Sequence, residues 1–123
     1  MIVEDIAIEL SSLSKAAKQS EDGEAYTTLK TSTRYRLGVG VRIGSGGEEL
    51  AFLELLLIPE EGAIDVGSME KKVTIMKRLQ ALGYDISSEE DGSISCEIVV
   101  SEGELEKKYG QVSDALAKAG LNE

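Results

Sequence analysis

Two arginines, two glycines and a glutamate are the residues of this chain whose types and spacing most directly suggest chemistry. Arg36, Gly38, Gly40 and Arg42 alternate with Tyr35, Leu37, Val39 and Val41, so in an extended segment the arginines and glycines share one face. Guanidinium groups bind carboxylate or phosphate through forked hydrogen bonds, and glycines between them leave room for a flat or phosphorylated ligand. Glu54, on the next strand of a hairpin, falls on that same face and competes for the guanidinium groups. Strand-to-strand charge compensation is the plainer use of these side chains. Arg36, Gly38, Gly40, Arg42 and Glu54 are therefore the candidate anion face. Gly40 also falls opposite Phe52 in that hairpin, and an aromatic ring covering a strand glycine is a stabilising device in its own right.

Other constellations carry less. The sequence has no histidine, so a Ser-His-Asp or Cys-His site cannot be assembled from it. Cys96 is the only cysteine and alternates with Ile94 and Ile98; it reads as an inert core thiol and leaves no intrachain disulfide. Gly38-Val39-Gly40 and Gly44-Ser45-Gly46-Gly47 lead into a strand, whereas a phosphate loop needs Gly-Lys-Ser/Thr opening a helix. An EF-hand register starting at Ser87 puts Ile98 where a bidentate glutamate is required. Glu60, Glu61, Glu102 and Glu104 flank helix starts, where negative charge complements the helix dipole. No catalytic residue, metal site or cofactor is assigned, which points away from an enzyme.

The elements that must position these residues follow from composition and periodicity. A length of 123 residues, 41% hydrophobic and 29% charged, suits one globular domain over residues 1–123. A net charge of -10 repels polyphosphates and anionic lipid, so neither nucleic acid nor membrane is an expected partner. Apolar runs fall short of the roughly 18 residues that span a bilayer, and Met1-Ile2-Val3-Glu4-Asp5 is acidic where a signal peptide is basic. A cytoplasmic location is expected. Charge alternates by segment: residues 25–43 carry Lys30, Arg34, Arg36 and Arg42 without an acid, and residues 44–68 carry Glu48, Glu49, Glu54, Glu60, Glu61 and Asp65 without a base.

Ile2, Ile6, Leu10, Leu13 and Ala17 recur at helical spacing until Glu21-Asp22-Gly23 breaks the pattern. Residues 24–43 alternate almost throughout, yet a straight strand of that length would extend about 65 Å. The chain must turn near Lys30 to Thr33. A loop at Ser45-Gly46-Gly47 opposes Gly44 to Glu48 and pairs Leu37, Val39 and Val41 with Leu55, Leu53 and Ala51; a slip of one residue would bring Glu54 into the apolar face. Ser68 is the expected N-cap of a helix over Met69 to Leu82, with Gly83 beyond its end. A second hairpin, Tyr84 to Glu89 and Ser93 to Val100, turns at Asp91-Gly92. Leu105, Tyr109, Val112, Leu116 and Ala119 then line a last helix that Gly120 stops. The predicted class is α+β, in the order α-β-β-β-α-β-β-α, an antiparallel sheet packed against helices.

The middle helix differs from its neighbours. Its apolar positions, from Val66 and Met69 through Val73, Ile75, Met76, Leu79 and Leu82, sweep roughly 200° of the circumference, where packing on one core takes about 100°. Surface left over on such an element is usually buried against a second copy or a partner, the alternative being cover by a terminal helix of the same chain. Met69, Val73, Met76 and Leu79 are the candidate dimer or partner surface.

With the apolar strand Leu50 to Ile58, a helix after it and a Gly83-Tyr84 exit into a strand, this element order resembles the type III secretion chaperone fold and its relatives outside secretion. The resemblance implies a homodimer built around the middle helix. It also implies a sheet and first-helix surface able to hold a protein or peptide client. The function expected is a non-enzymatic protein-interaction protein, chaperone-like or regulatory. The alternative is a small-ligand or anion-binding module, or a minor enzyme, using the Arg36, Arg42 and Glu54 strand face.

Overall fold

A computed structural model describes residues 3–59 and 66–120; Ile2, Glu60, Glu61 and Asp65, which entered the sequence argument, lie outside them. The elements are α1 (Val3–Gln19), β1 (Glu24–Thr31), β2 (Tyr35–Ile43), β3 (Glu49–Leu57), α2 (Val66–Ala81), β4 (Asp85–Ser88), β5 (Ile94–Val100) and, after a short 3-10 turn at Glu102–Glu104, α3 (Leu105–Lys118). The order is the predicted α-β-β-β-α-β-β-α, a single α+β domain. All strand pairs are antiparallel, in the spatial order β1-β2-β3-β5-β4.

The β2–β3 register agrees with the prediction, with Leu37 opposite Leu55, Val39 opposite Leu53 and Val41 opposite Ala51. Gly44 N–H closes the loop on Glu48 O at 2.7 Å, and Gly47 has φ +85°. The long alternating stretch breaks at residues 32–34, where the Ser32 hydroxyl accepts from the N–H groups of Arg34 (3.1 Å) and Tyr35 (3.3 Å). A serine turn thus does what no glycine or proline marks. A bulge between Thr28 and Lys30 leaves Leu29 outside the ladder and packed against the core.

One face of the sheet is the core. Tyr35, Leu37, Val39, Val41, Leu53, Leu55, Leu57, Cys96 and Val100 are buried there. α1 lies over β1 and β2, α3 over β3, and α2 against β4, β5 and α3. Leu10, Leu13 and Ala17 seal the first half, and Ile75, Leu79, Val112, Ala115 and Leu116 the second. No described helix is long and apolar enough to cross a membrane.

α2 opens at Val66 rather than after Ser68, which falls inside its first turn. Its C-terminus is as predicted: Gly83 N–H donates to Gln80 O at 3.1 Å and Tyr84 N–H to Leu79 O at 3.0 Å, with Gly83 at φ +99°. This paired closure satisfies two helix-end carbonyls and requires a left-handed residue. Gly110 is the opposite case, an exposed glycine inside α3 with open space where a Cβ would sit. Gly83→Ala should therefore lose about 1–2 kcal/mol from backbone strain alone, and Gly110→Ala should gain about 1 kcal/mol from helix propensity. Urea unfolding of both variants checks this; equal and small effects would contradict the assigned backbone geometry.

Candidate functional site

The side of the sheet away from the helices carries the predicted anion face, and the register sets it out in rows across the strands. Tyr26, Gly40, Phe52 and Val99 form one row. Thr28, Gly38, Glu54, Glu97 and Asp85 form the next. Arg36, Leu56, Ser95 and Ser87 form a third, and Glu24, Arg42 and Leu50 lie at the other end.

Arg36, Gly38, Gly40, Arg42 and Glu54 do share this face, but the space between the arginines is filled. The Phe52 ring covers Gly40 and the Tyr26 phenol covers Gly38, so that a Cβ at either glycine would collide with the ring above it. The two rings stack at 6.2 Å with 21° between planes, and Phe52 is only 2% exposed. The Arg42 guanidinium lies 4.5 Å over Phe52, a cation–π contact. Its Nη1 donates to Glu97 Oε1 at 3.1 Å, and its Nε is 3.6 Å from Glu24 Oε2. Charge compensation is thus present on this face with partners other than Glu54, because β5 sits beside β3 and brings Glu97 within reach. Glu54 instead accepts from Ser95 Oγ at 2.8 Å. Burial, then the Glu54 charge, pushes the Tyr26 phenol up to about 12. Arg36 stays exposed and makes no ion pair among the described residues.

Tyr26, Glu97 and Ser95 were missed as members of this face. The period-two pattern of 94–100, apolar at Ile94, Cys96, Ile98 and Val100, already assigned Ser95 and Glu97 to the opposite side. It could not say which strand they would lie beside.

The candidate partner surface on α2 divides in two. Leu79 is fully buried in the protein's own core and Met76 is half-buried against it, which removes Leu79 from any partner surface. α3 takes the flank of α2 that bears Arg78, whose Nη2 lies 2.8 Å from Asp114 Oδ2. Met69 and Val73, on another flank, remain 52% and 43% exposed. With Glu70 and Thr74 they border a shallow, mostly apolar concavity of about 600 Å³.

A third feature was not foreseen. Ser11, Ser14, Lys15 and Lys18 of α1 edge a cleft of about 550 Å³ floored by Val41, Ala51 and Val100. Lys18 Nζ closes one side on Glu49 Oε1 at 2.8 Å, and this contact, with the Ser14 hydroxyl, lowers the Glu49 carboxyl below its ordinary value. Among the described residues no group of three or more His, Cys, Asp or Glu side chains is placed to hold a metal ion. No protein family matches the chain, and neither a curated protein nor a solved structure does.

Cys96 is fully buried, and burial followed by the Glu54 charge pushes its thiol up to about 12. Burial likewise pushes the Tyr84 phenol, which donates to Lys108 O at 3.1 Å, up to about 12. These groups hold their protons more tightly folded than unfolded, so their stabilising contribution is complete below their ordinary values of 9.0 and 10.0 and is lost as pH rises towards about 12. Urea midpoints should accordingly be insensitive to these groups below pH 9 and fall above it, with Cys96→Ala removing the earliest part of the decline. A wild-type curve still flat at pH 11 would refute this. Gly40→Ala should cost about 1–3 kcal/mol by overpacking against Phe52 and the Ala25 carbonyl. A neutral result in the same unfolding assay would mean the ring cover is loose.

Proposed function

We propose that this protein is a non-enzymatic interaction protein, chaperone-like or regulatory in kind, that acts as a homodimer. The observation that carries the reading is the uncovered row on α2, where Met69 and Val73 stand one turn apart with the concavity between them. Burying such a pair against an identical surface removes apolar area from water at no cost in new sequence. The element order, shared with the chaperone-like fold the sequence resembles, is consistent with the same role. The anion-binding alternative loses support, since Arg42 is engaged by Glu97, Glu24 and Phe52 and the glycines are covered.

Charges beside the row favour a two-fold antiparallel arrangement. Glu70 and Lys77 are seven residues apart and so lie nearly above one another on one flank of the Met69–Val73 row. Neither makes an ion pair among the described residues. In an antiparallel pair centred between Val73 and Thr74, Glu70 of each copy is level with Lys77 of the other. The contact is made twice.

Light scattering on the wild type should give a dimer that Val73→Glu dissociates, at an exposed site where the substitution leaves folding intact. Lys77→Glu should raise the dimer Kd about tenfold, two like-charge contacts at roughly 0.7 kcal/mol each. Adding Glu70→Lys should restore it. A monodisperse monomer at high micromolar concentration sinks the homodimer, and a double variant no better than Lys77→Glu sinks the antiparallel register.

A further inference from the structure

The open sheet face sets an apolar row beside an acidic one, and the acidic row is an unusual thing to find on a sheet. Glu54, Glu97 and Asp85 stand directly opposite one another on β3, β5 and β4. Like charges so paired repel, and each such pair ordinarily weakens a sheet. Arg42 relieves only Glu97. Glu54 has the neutral hydroxyl of Ser95 as a donor, and Asp85, which is exposed, has no ion pair among the described residues. The β4–β5 turn adds to the same charge: Glu89, Glu90 and Asp91 border a recess of about 590 Å³ shared with Glu54 and Leu56. Alongside, Val99 is 52% and Tyr26 36% exposed, with Phe52 buried between them beneath Arg42. Leu50, on the same face, is exposed to the same degree as Tyr26.

We infer that this face docks a cationic amphipathic helix of another protein, its apolar stripe on the exposed Tyr26 and Val99 of one row and its lysines or arginines over Glu54, Glu97 and Asp85 of the next. The inference rests on the interaction-protein reading and names the chemistry of the partner. Charge complementarity selects that partner. Rows two residues apart along a strand are separated by about 6.6 Å, a spacing that lets one helix, about 10 Å across with its side chains, cover both at once. A path across the strands from Tyr26 to Val99 spans three inter-strand gaps, about 14 Å, or between two and three helical turns. Anionic partners, nucleic acid and acidic lipid surfaces among them, meet repulsion from the same carboxylates.

The test uses a fluorescent leucine–lysine amphipathic helical peptide about five turns long and its leucine–glutamate counterpart, read by anisotropy at low and physiological salt. The lysine peptide should bind and the glutamate peptide should not. Glu54→Gln with Asp85→Asn should weaken binding at least about tenfold, and Val99→Ser should weaken it without changing its salt dependence. Glu21→Gln with Glu106→Gln, which removes the same charge from just past the end of α1 and from α3, should leave it unchanged. Equal losses from both double variants would reduce the effect to net charge and overturn the site. Binding of the glutamate peptide, or none by either, would overturn it as well. Failure here with the dimer intact refutes this site alone, and loss of the dimer with peptide binding intact refutes self-association alone.

Discussion

The pairing of β2 with β3 is the constraint on which the rest of the structure depends. Nine consecutive residue pairs, from Tyr35 with Leu57 to Ile43 with Glu49, run without interruption. A one-residue slip would exchange the two faces of β3 and bring Glu54 into the side filled by Leu53, Leu55 and Leu57. Burying an unpaired carboxylate there is far costlier than any gain from alternative contacts. With that register set, β1 and β5 add on either side of the pair, each in a register of its own.

The helices occupy one face only, so the other must be stabilised by its own side chains. Phe52 is withdrawn from water by the Tyr26 ring on one side and the Arg42 guanidinium above it, with glycines beneath to admit the rings. The same residues that would have made an anion site from isolated strands thereby become the cover of an aromatic residue. A guanidinium stacked on a ring and bridged to two carboxylates has lost the freedom to clamp a ligand.

The two surfaces proposed for partners lie on opposite layers and would use different physics. On α2 the driving term would be the removal of Met69 and Val73 from water, non-directional and weakly dependent on salt. On the sheet, selectivity comes from carboxylates held in a row by the ladder, and the apolar row beside them supplies area. In the proposed function, self-association through one layer would leave the other free.

Much of this was legible in the sequence. Alternation gave the strands and the β2–β3 register, Gly83 and Gly120 ended their helices, and the element order followed. Cys96 was placed in the core by its aliphatic neighbours alone. These features are local: each depends on residues close in sequence or on a single turn. What only the tertiary structure decided is non-local. Whether β5 lies beside β3 or at an edge determines whether Arg42 meets Glu97 or Glu54, and no pattern within either strand carries that choice. The width of the apolar arc on α2 was readable, but its division between Leu79, inside, and Met69 and Val73, outside, came from how far α3 and the sheet reach around the helix. Periodicity specifies which side of an element is apolar; the neighbours that assemble against it decide how much of that side stays exposed.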